Sequence, residues 1–448
     1  MESHRFAAAS RDIMSQTMSD RRLLRKPTMK DLALAILLLI GVASLAPAAG
    51  ASAGPAAPTA GGGLQSPRSP WSPRLLKAAV TDVVKGLPPG LSVAAVNDSE
   101  HLLYLAGYNW GLGTGSLYVL DTRSMKVVTS ITEPNLNVTL LPDEEHGTLW
   151  AFSNNAFANG NNSTAYLYAG RSWKVLKTVQ FPGIGFNGAA WNHRTGKFYL
   201  TNYGPGEIEV YDRNLNHLTT IDDDNGNFVA VNERTNRVYV SNYYDATVTV
   251  IDGNSDTIIG DPIPVGTPAL PDGCYSNDST CTNRDTYSAS DGIAVDPVSN
   301  RVFVANVNDG TFAIVDGATN TLSKIVKLSE GVFAPASLPG LNTALAVNWD
   351  RSTLQLVNET SGTLLQTVQI GAPDSPNCLR IQWDGGDCAF WGNGATALAV
   401  SRDNGAIYVV AAGDGSTNSD ATDPYVDSQV WVLTPIVASG GGWPFVWR

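Results

Sequence analysis

From residue 91 onward, apolar positions fall in short runs that alternate with polar ones and are punctuated about every 8 to 12 residues by Asn, Asp and Gly. The stretch Gly226–Val265, GNFVAVNERTNRVYVSNYYDATVTVIDGNSDTIIGDPIPV, shows the unit. β-rich runs at Phe228–Val231, Arg237–Ser241 and Thr247–Ile251, and a fourth around Thr257–Val265, are separated by turn clusters at Asn232–Asn236, Asn242–Ala246 and Asp252–Asp256. This spacing predicts a four-stranded antiparallel sheet. Such a sheet cannot cover its own two faces, so the unit should recur.

It recurs seven times: Leu91 to about Ile131, Leu136–Val179, Phe186–Ile221, the unit above, Gly292–Leu328, Ala334–Ile370 and Ala395–Ser439. Equivalent residues keep register. Asn202, Asn242, Asn306 and Asn348 each close a second strand, and Asp212, Asp252 and Asp316 each close a third. Both series step by the same offsets across copies three to five, with one insertion between copies four and five. The predicted fold is all-β: a seven-bladed β-propeller of four-stranded antiparallel blades. A ring of blades must also close, since an incomplete last blade leaves open sheet edges. Copy seven shows three clear strands, then Thr434–Ser439, whose Pro435 suits an edge. The segment Leu75–Val84 resembles the outer strands of other copies and is expected to complete blade seven.

The segments FYLTN (Phe198–Asn202), VYVSN (Val238–Asn242) and VFVAN (Val302–Asn306), each followed by V-Y-D, V-I-D or I-V-D, resemble the YVTN-type β-propeller repeat. The likeness spans residues 75 to 440 and is weakest in copy two, where Ala169 replaces the Asp. It implies a propeller, usually of seven blades, within a superfamily that includes lactonase-like enzymes, and implies no particular chemistry.

The first fifty residues are of another kind. Arg21, Arg22, Arg25, Lys26 and Lys30 precede the apolar run Leu32–Ala46, and Ala51-Ser52-Ala53 fits an A-x-A cleavage site. Residues 1–53 therefore read as a Sec-type signal peptide whose start could be Met18 or Met29, with an uncleaved anchor as the alternative. Residues 54–73 read as a Pro/Gly/Ala linker, 74–440 as the propeller and 441–448 as a tail. The expected location is secreted or periplasmic, with no stable membrane insertion after signal cleavage. The formal net charge is −12, and the leader is richer in Lys and Arg than in Asp and Glu, so the exported part is more acidic still. Nucleic acid is therefore not an expected partner. The four cysteines fall into two local pairs, Cys274 with Cys281 and Cys378 with Cys388. In an exported chain these favour two small disulfide loops among the three possible pairings. Neither spacing matches a zinc knuckle.

In such a ring the turns between strands two and three, and the connections between blades, share one face. The long segments Gly107–Gly115, Ser153–Thr164, Gly266–Ser290, Gly371–Asn393 and Ala412–Ser428 all fall there, while the opposite face has tight turns. Loops on a rigid scaffold carry function, although insertions also accumulate where geometry tolerates them. Asn187, Asn227, Asp291 and Asn393 precede inner strands on this face and are expected at the channel mouth. Trp110, Trp349, Trp383 and Trp391 are the aromatic candidates, together with Tyr243 and Tyr244. The loop Asp414–Asp423 alternates oxygen ligands, but Tyr425 stands where an EF-hand has Glu. No cofactor is expected, calcium at that loop being the exception its pattern allows.

Catalytic signals are few. His101, His146, His193 and His217 all map to the tight-turn face, and G-x-S-x-G, P-loop and H-E-x-x-H motifs are absent. The leading reading is an exported binding module for a protein, peptide or glycan. The alternative is a lactonase-like hydrolase or lyase working through carboxylates at the channel mouth, from Asp285, Asp291, Asp384 and Asp387 with Arg284 and Arg380.

Overall fold

A computed structural model of the chain describes residues 74–109, 114–133, 136–154, 162–202, 206–223, 225–269, 287–349, 351–371, 395–412, 427–438 and 444–445. Seven antiparallel sheets follow one another, each built outward from its first strand. The first strands are Leu91–Asn97, Leu136–Asp143, Phe186–Asn192, Gly226–Asn232, Ser290–Asp296, Val332–Leu338 and Ala395–Val400. Each packs beside the first strand of the next blade, and the seventh meets the first, which closes the ring. No helix among the described residues is long and apolar enough to cross a membrane.

Burial grades outward for the reason the pattern predicts. Inner strands such as Phe186–Asn192 and Ser290–Asp296 are buried along their whole length, because blades flank them on both sides. Outer strands such as His217–Ile221 and Leu364–Gln369 are mostly exposed, with Leu218, Leu364 and Leu365 facing solvent. The apolar seams lie between blades. One joins Leu103, Leu105 and Leu120 of blade one to Tyr408, Val410 and Val430 of blade seven; another joins Phe303 and Phe312 of blade five to Ala344 and Val357 of blade six. Polar ties cross the seams as well. Tyr199 donates to Asp256 (2.6 Å), and the amides of Asn192 and Asn232 donate to Asn236 and Asn300 of the following blade, each at 2.7 Å.

Ring closure is as the sequence reading expects, with a longer joint. Arg74–Leu87 pairs antiparallel with Ser428–Ala438, so the N-terminal strand is the outer strand of blade seven. Two local readings change. Over its described part, residues 434–438, the segment Thr434–Ser439 forms no separate strand: it continues the third strand as Ser428–Ala438. Pro435 is tolerated there because the neighbouring inner strand stops at Ile407, opposite Leu433, leaving one side of Pro435 without a ladder partner to lose. The outer strand of blade four is also split, into Thr257–Ile258 and Ile263–Pro264, which both pair with Thr247–Asp252. The break contains Gly260 at φ 67, a left-handed conformation that no strand can continue.

Removing residues 74–87 should therefore cost about 5 kcal/mol or more, from the lost burial of Leu75, Ala78 and Leu87 and from an open edge on Ser428–Ala438. Thermal unfolding and size-exclusion chromatography of a chain beginning at residue 88 check this. The expected outcome is a broad, lowered transition with self-association; an unchanged transition and elution volume would show that the joint is dispensable.

Candidate functional site

Every inner strand carries one extra residue near its start. Paired residues step from Leu91 to Val93 in blade one, Asn137 to Thr139, Phe186 to Gly188, Gly226 to Phe228, Ser290 to Ile293, Phe333 to Pro335, and Ala395 to Ala397 in blade seven, each with one residue too few opposite. A β-bulge re-aims the unpaired side chain. Here it does so at the loop-face mouth of the channel in all seven blades, and in blades three, four, five and seven the residue concerned is Asn187, Asn227, Asp291 and Thr396.

Three of these join in a line across the blades. Asn187 Nδ2 donates to Asn227 Oδ1 (2.9 Å), and Asn227 Nδ2 donates to Asp291 Oδ1 (3.2 Å). Asp291 is only 4% exposed, and burial pushes its carboxyl up to about 7, against the opposing effect of the Asn227 amide. It sits beside Gly292, whose φ is 126 and where a Cβ would meet Pro335 at 2.8 Å; only glycine lets blades five and six approach at this point. In blade seven Thr396 turns back to donate to the Leu91 carbonyl (3.1 Å), tying the mouth to blade one.

The structure thus brings together three of the four expected mouth residues. Asn393, Trp110, Trp383, Trp391, the four cysteines, the Asp414–Asp423 loop, and Arg284, Asp285, Arg380, Asp384 and Asp387 lie outside the described residues. Trp349 is half-buried directly after the second strand of blade six, with its backbone N–H on the Gly331 carbonyl (3.1 Å). The aromatics of the joint after blade four pack on one another: Tyr243 meets Tyr244 edge-on at 4.9 Å, and Tyr287 lies 6.2 Å and 6.3 Å from them. Tyr243 is buried by this packing, while Tyr244 and Tyr287 keep partly open surfaces.

The opposite mouth holds groups that the sequence reading left aside. The first residue after the inner strand is Asp98, Glu144, His193, Glu233, Pro297 and Pro339 in blades one to six; in blade seven, whose inner strand stops one residue sooner at Val400, the corresponding residue is Arg402. Neighbours are tied through this column. The backbone N–H of Arg402 donates to Asp98 (2.7 Å), that of Asp98 to Glu144 (3.1 Å) and that of His193 to Glu233 (2.6 Å). Aligning the seven copies column by column would have exposed five ionisable residues at one position.

One further buried acid sits in the seam of blades five and six. Glu359 is fully buried, accepts from Ser299 Oγ (2.7 Å), and faces Asp296, whose Oδ1 is taken by the N–H groups of Val298 and Ser299. Asp296 Oδ2 and Glu359 Oε1 have no hydrogen-bond partner among the described residues. Burial first, then the Asp296 charge, raise Glu359 to about 8, with Arg301 opposing.

Both raised acids are neutral in the folded state at pH values where the unfolded chain ionises them. Their contribution is complete below the ordinary carboxyl value near 4 and is lost as pH rises through about 7 and 8. Thermal unfolding should show a melting temperature that falls between pH 5.5 and 9. Glu359→Gln should flatten the upper part of that fall and raise stability at pH 9 by about 1 to 3 kcal/mol; an unchanged slope would show that Glu359 is not raised in the folded state.

In comparison with known proteins, no protein-family model matches the chain and no curated protein matches it, so the propeller assignment stands on the repeat and on the seven closed blades.

Proposed function

We propose that the chain is an exported binding module of the YVTN-type repeat kind, which holds a protein, peptide or glycan ligand against the loop-face mouth of its channel. The observation that carries this is the line Asn187–Asn227–Asp291. Amides and one carboxyl, aimed by bulges on the most rigid strands of the molecule, present fixed donors and acceptors to hydroxyl, amide or amine groups. The long segments that leave this same face supply contact area around them, and the partly open Tyr244 and Tyr287 supply flat apolar surface of the kind sugar rings and peptide side chains stack on. Disulfides within the two cysteine-bearing loops would lower the ordering cost of binding. Calcium at Asp414–Asp423 would act in the same way, by stiffening a rim loop. The acidic charge and the leader both fit an exported location, secreted or periplasmic.

A hydrolytic reading draws on one observation, the Asp291 carboxyl poised near neutral pH, a property shared with general acids and bases. Asn227 is its one hydrogen-bond partner among the described residues, and no nucleophile is paired with it. The arrangement suits recognition better than proton transfer.

Binding of the labelled protein, residues 54–448, to glycan and peptide arrays tests the reading. At least one ligand class should bind, and Asn227→Leu, which breaks the line at its centre, should weaken that binding about 10- to 100-fold. Asp291→Asn keeps the shape and should weaken it less. Binding that is indifferent to Asn227→Leu, or no binding by the parent protein, would sink the proposal. Turnover of a lactone panel lost in Asp291→Asn would instead favour the hydrolase.

A further inference from the structure

Blades one, two and six place Ser92, Val138 and Ala334 at the bulge positions that Asn187, Asn227, Asp291 and Thr396 hold in the others. Asp291 is thus the one bulge residue at the loop-face mouth that can carry a charge, and none is basic. The strands packed against its own bring no counter-charge near it. Gly226–Asn232 of blade four and Val332–Leu338 of blade six contain no titratable residue. On the second strands of blades four and five, Arg237, Tyr239 and Arg301 stand opposite Asn232, Ala230 and Asp296, toward the tight-turn face. A carboxyl buried without a cation keeps its proton, because an isolated charge is far costlier to bury than a neutral acid.

The hydrogen bonds fix where that proton sits. Asn227 Oδ1 is taken by Asn187 Nδ2 (2.9 Å), so Asn227 faces Asp291 with its Nδ2. The same Nδ2 reaches the Ser290 carbonyl (3.5 Å), which can only accept, and this settles the orientation of the amide. Asp291 Oδ1 is therefore an acceptor, and the proton belongs on Oδ2, which has no partner among the described residues. At the other end of the line Asn187 Oδ1 accepts nothing among them either. The line is thus directed, with an unused acceptor on blade three and an unused O–H donor on blade five. Its two ends, Asn187 and Asp291, keep 5% and 4% of their surface open, against 1% for Asn227 between them, so the line is approached at its ends.

We propose that the ligand of this mouth is a peptide, held by a carbonyl on the Asp291 O–H and an N–H on Asn187 Oδ1, and that Asp291 gates it: the peptide binds while the carboxyl is protonated and leaves when it ionises. The inference rests on the loop-face reading above and narrows it. An amide carbonyl can only accept, so it loses its partner and meets a second set of lone pairs once the proton is gone. A sugar hydroxyl would turn and donate to the carboxylate, and would be held as well or better. Six other bulge positions could have supplied a base to keep Asp291 ionised for such a ligand, and none does. Peptide affinity should be full well below the value near 7 to which burial lifts Asp291, and should fall about tenfold per pH unit above it.

Peptide and glycan arrays probed with residues 54–448 at pH 5.5 and pH 8.5 test this. Peptides should bind at pH 5.5 and on the order of 10- to 50-fold more weakly at pH 8.5. Asp291→Asn donates an N–H at either pH, so it should bind the same peptides with no such loss, and at pH 5.5 should cost less than Asn227→Leu. A pH effect that came from His101, His146, His193 or His217 would survive in Asp291→Asn. Should that variant fail to fold, calorimetry of the parent with its strongest array peptide at pH 8, in two buffers of different ionisation enthalpy, should show uptake of about one proton. Peptide binding equal at both pH values, a loss that persists in Asp291→Asn, no proton uptake, or binding of glycans alone would each overturn the inference, while a ligand weakened by Asn227→Leu would leave the binding module standing. No binding to either array at either pH would overturn both.

Discussion

A four-stranded blade has two apolar faces and can cover neither alone, so each blade here is stable only as the filling between two others. The seams follow from that constraint: Phe303 and Phe312 of blade five bury themselves against blade six, and Tyr408 and Val410 of blade seven against blade one. A row of blades would still end in two bare faces. Only a ring removes them, and the ring holds because residues 74–87 return to lie beside residues 428–438. Burial of the inner strands, the rigidity of the channel and the placement of side chains at both of its mouths all depend on that one pairing.

Within the ring, the two mouths are addressed by different devices. At the loop face, a bulge in each first strand sets one side chain out of the ladder, so its identity is free of pairing constraints. At the other face, the residue that opens each tight turn has its backbone N–H tied to the next blade where that blade offers a carboxylate. The first device yields amides and a neutral carboxyl, the second charged groups of both signs. Loops can lengthen at the first mouth without disturbing the second, because the strands between them are buried along their length.

Much of the fold was legible because repetition supplies its own control. Asn202, Asn242 and Asn306 and Asp212, Asp252 and Asp316 shift by the same amounts, and a shared offset at two landmarks fixes strand register. Asn187, Asn227 and Asp291 could be placed at the channel mouth for the same reason. What escaped was decided by a local backbone angle in one case and by contacts between distant residues in the others. Gly260 splitting an outer strand depends on a local φ that the β-rich sequence Thr257–Val265 conceals. Pro435 looked like an edge residue, yet its strand continues, because what matters is where the neighbouring strand stops. Arg402 and Asp98 are 304 positions apart in the chain; each is unremarkable in its own turn, and they meet only when the ring brings blade seven against blade one.

The joint has one more consequence, a mechanical one. Arg74 is paired with Ala438, so the propeller begins and ends at the same point on its rim. Tension applied between the two ends loads the last pair of hydrogen bonds, then the next, as in opening a zipper, instead of shearing the whole ladder at once. The arrangement that makes the ring secure against thermal opening makes it weak against a pull on its ends. A chain tethered at one end only, by a leader or by a tail, feels no such load, and a chain held at both would release its blades one after another from blade seven.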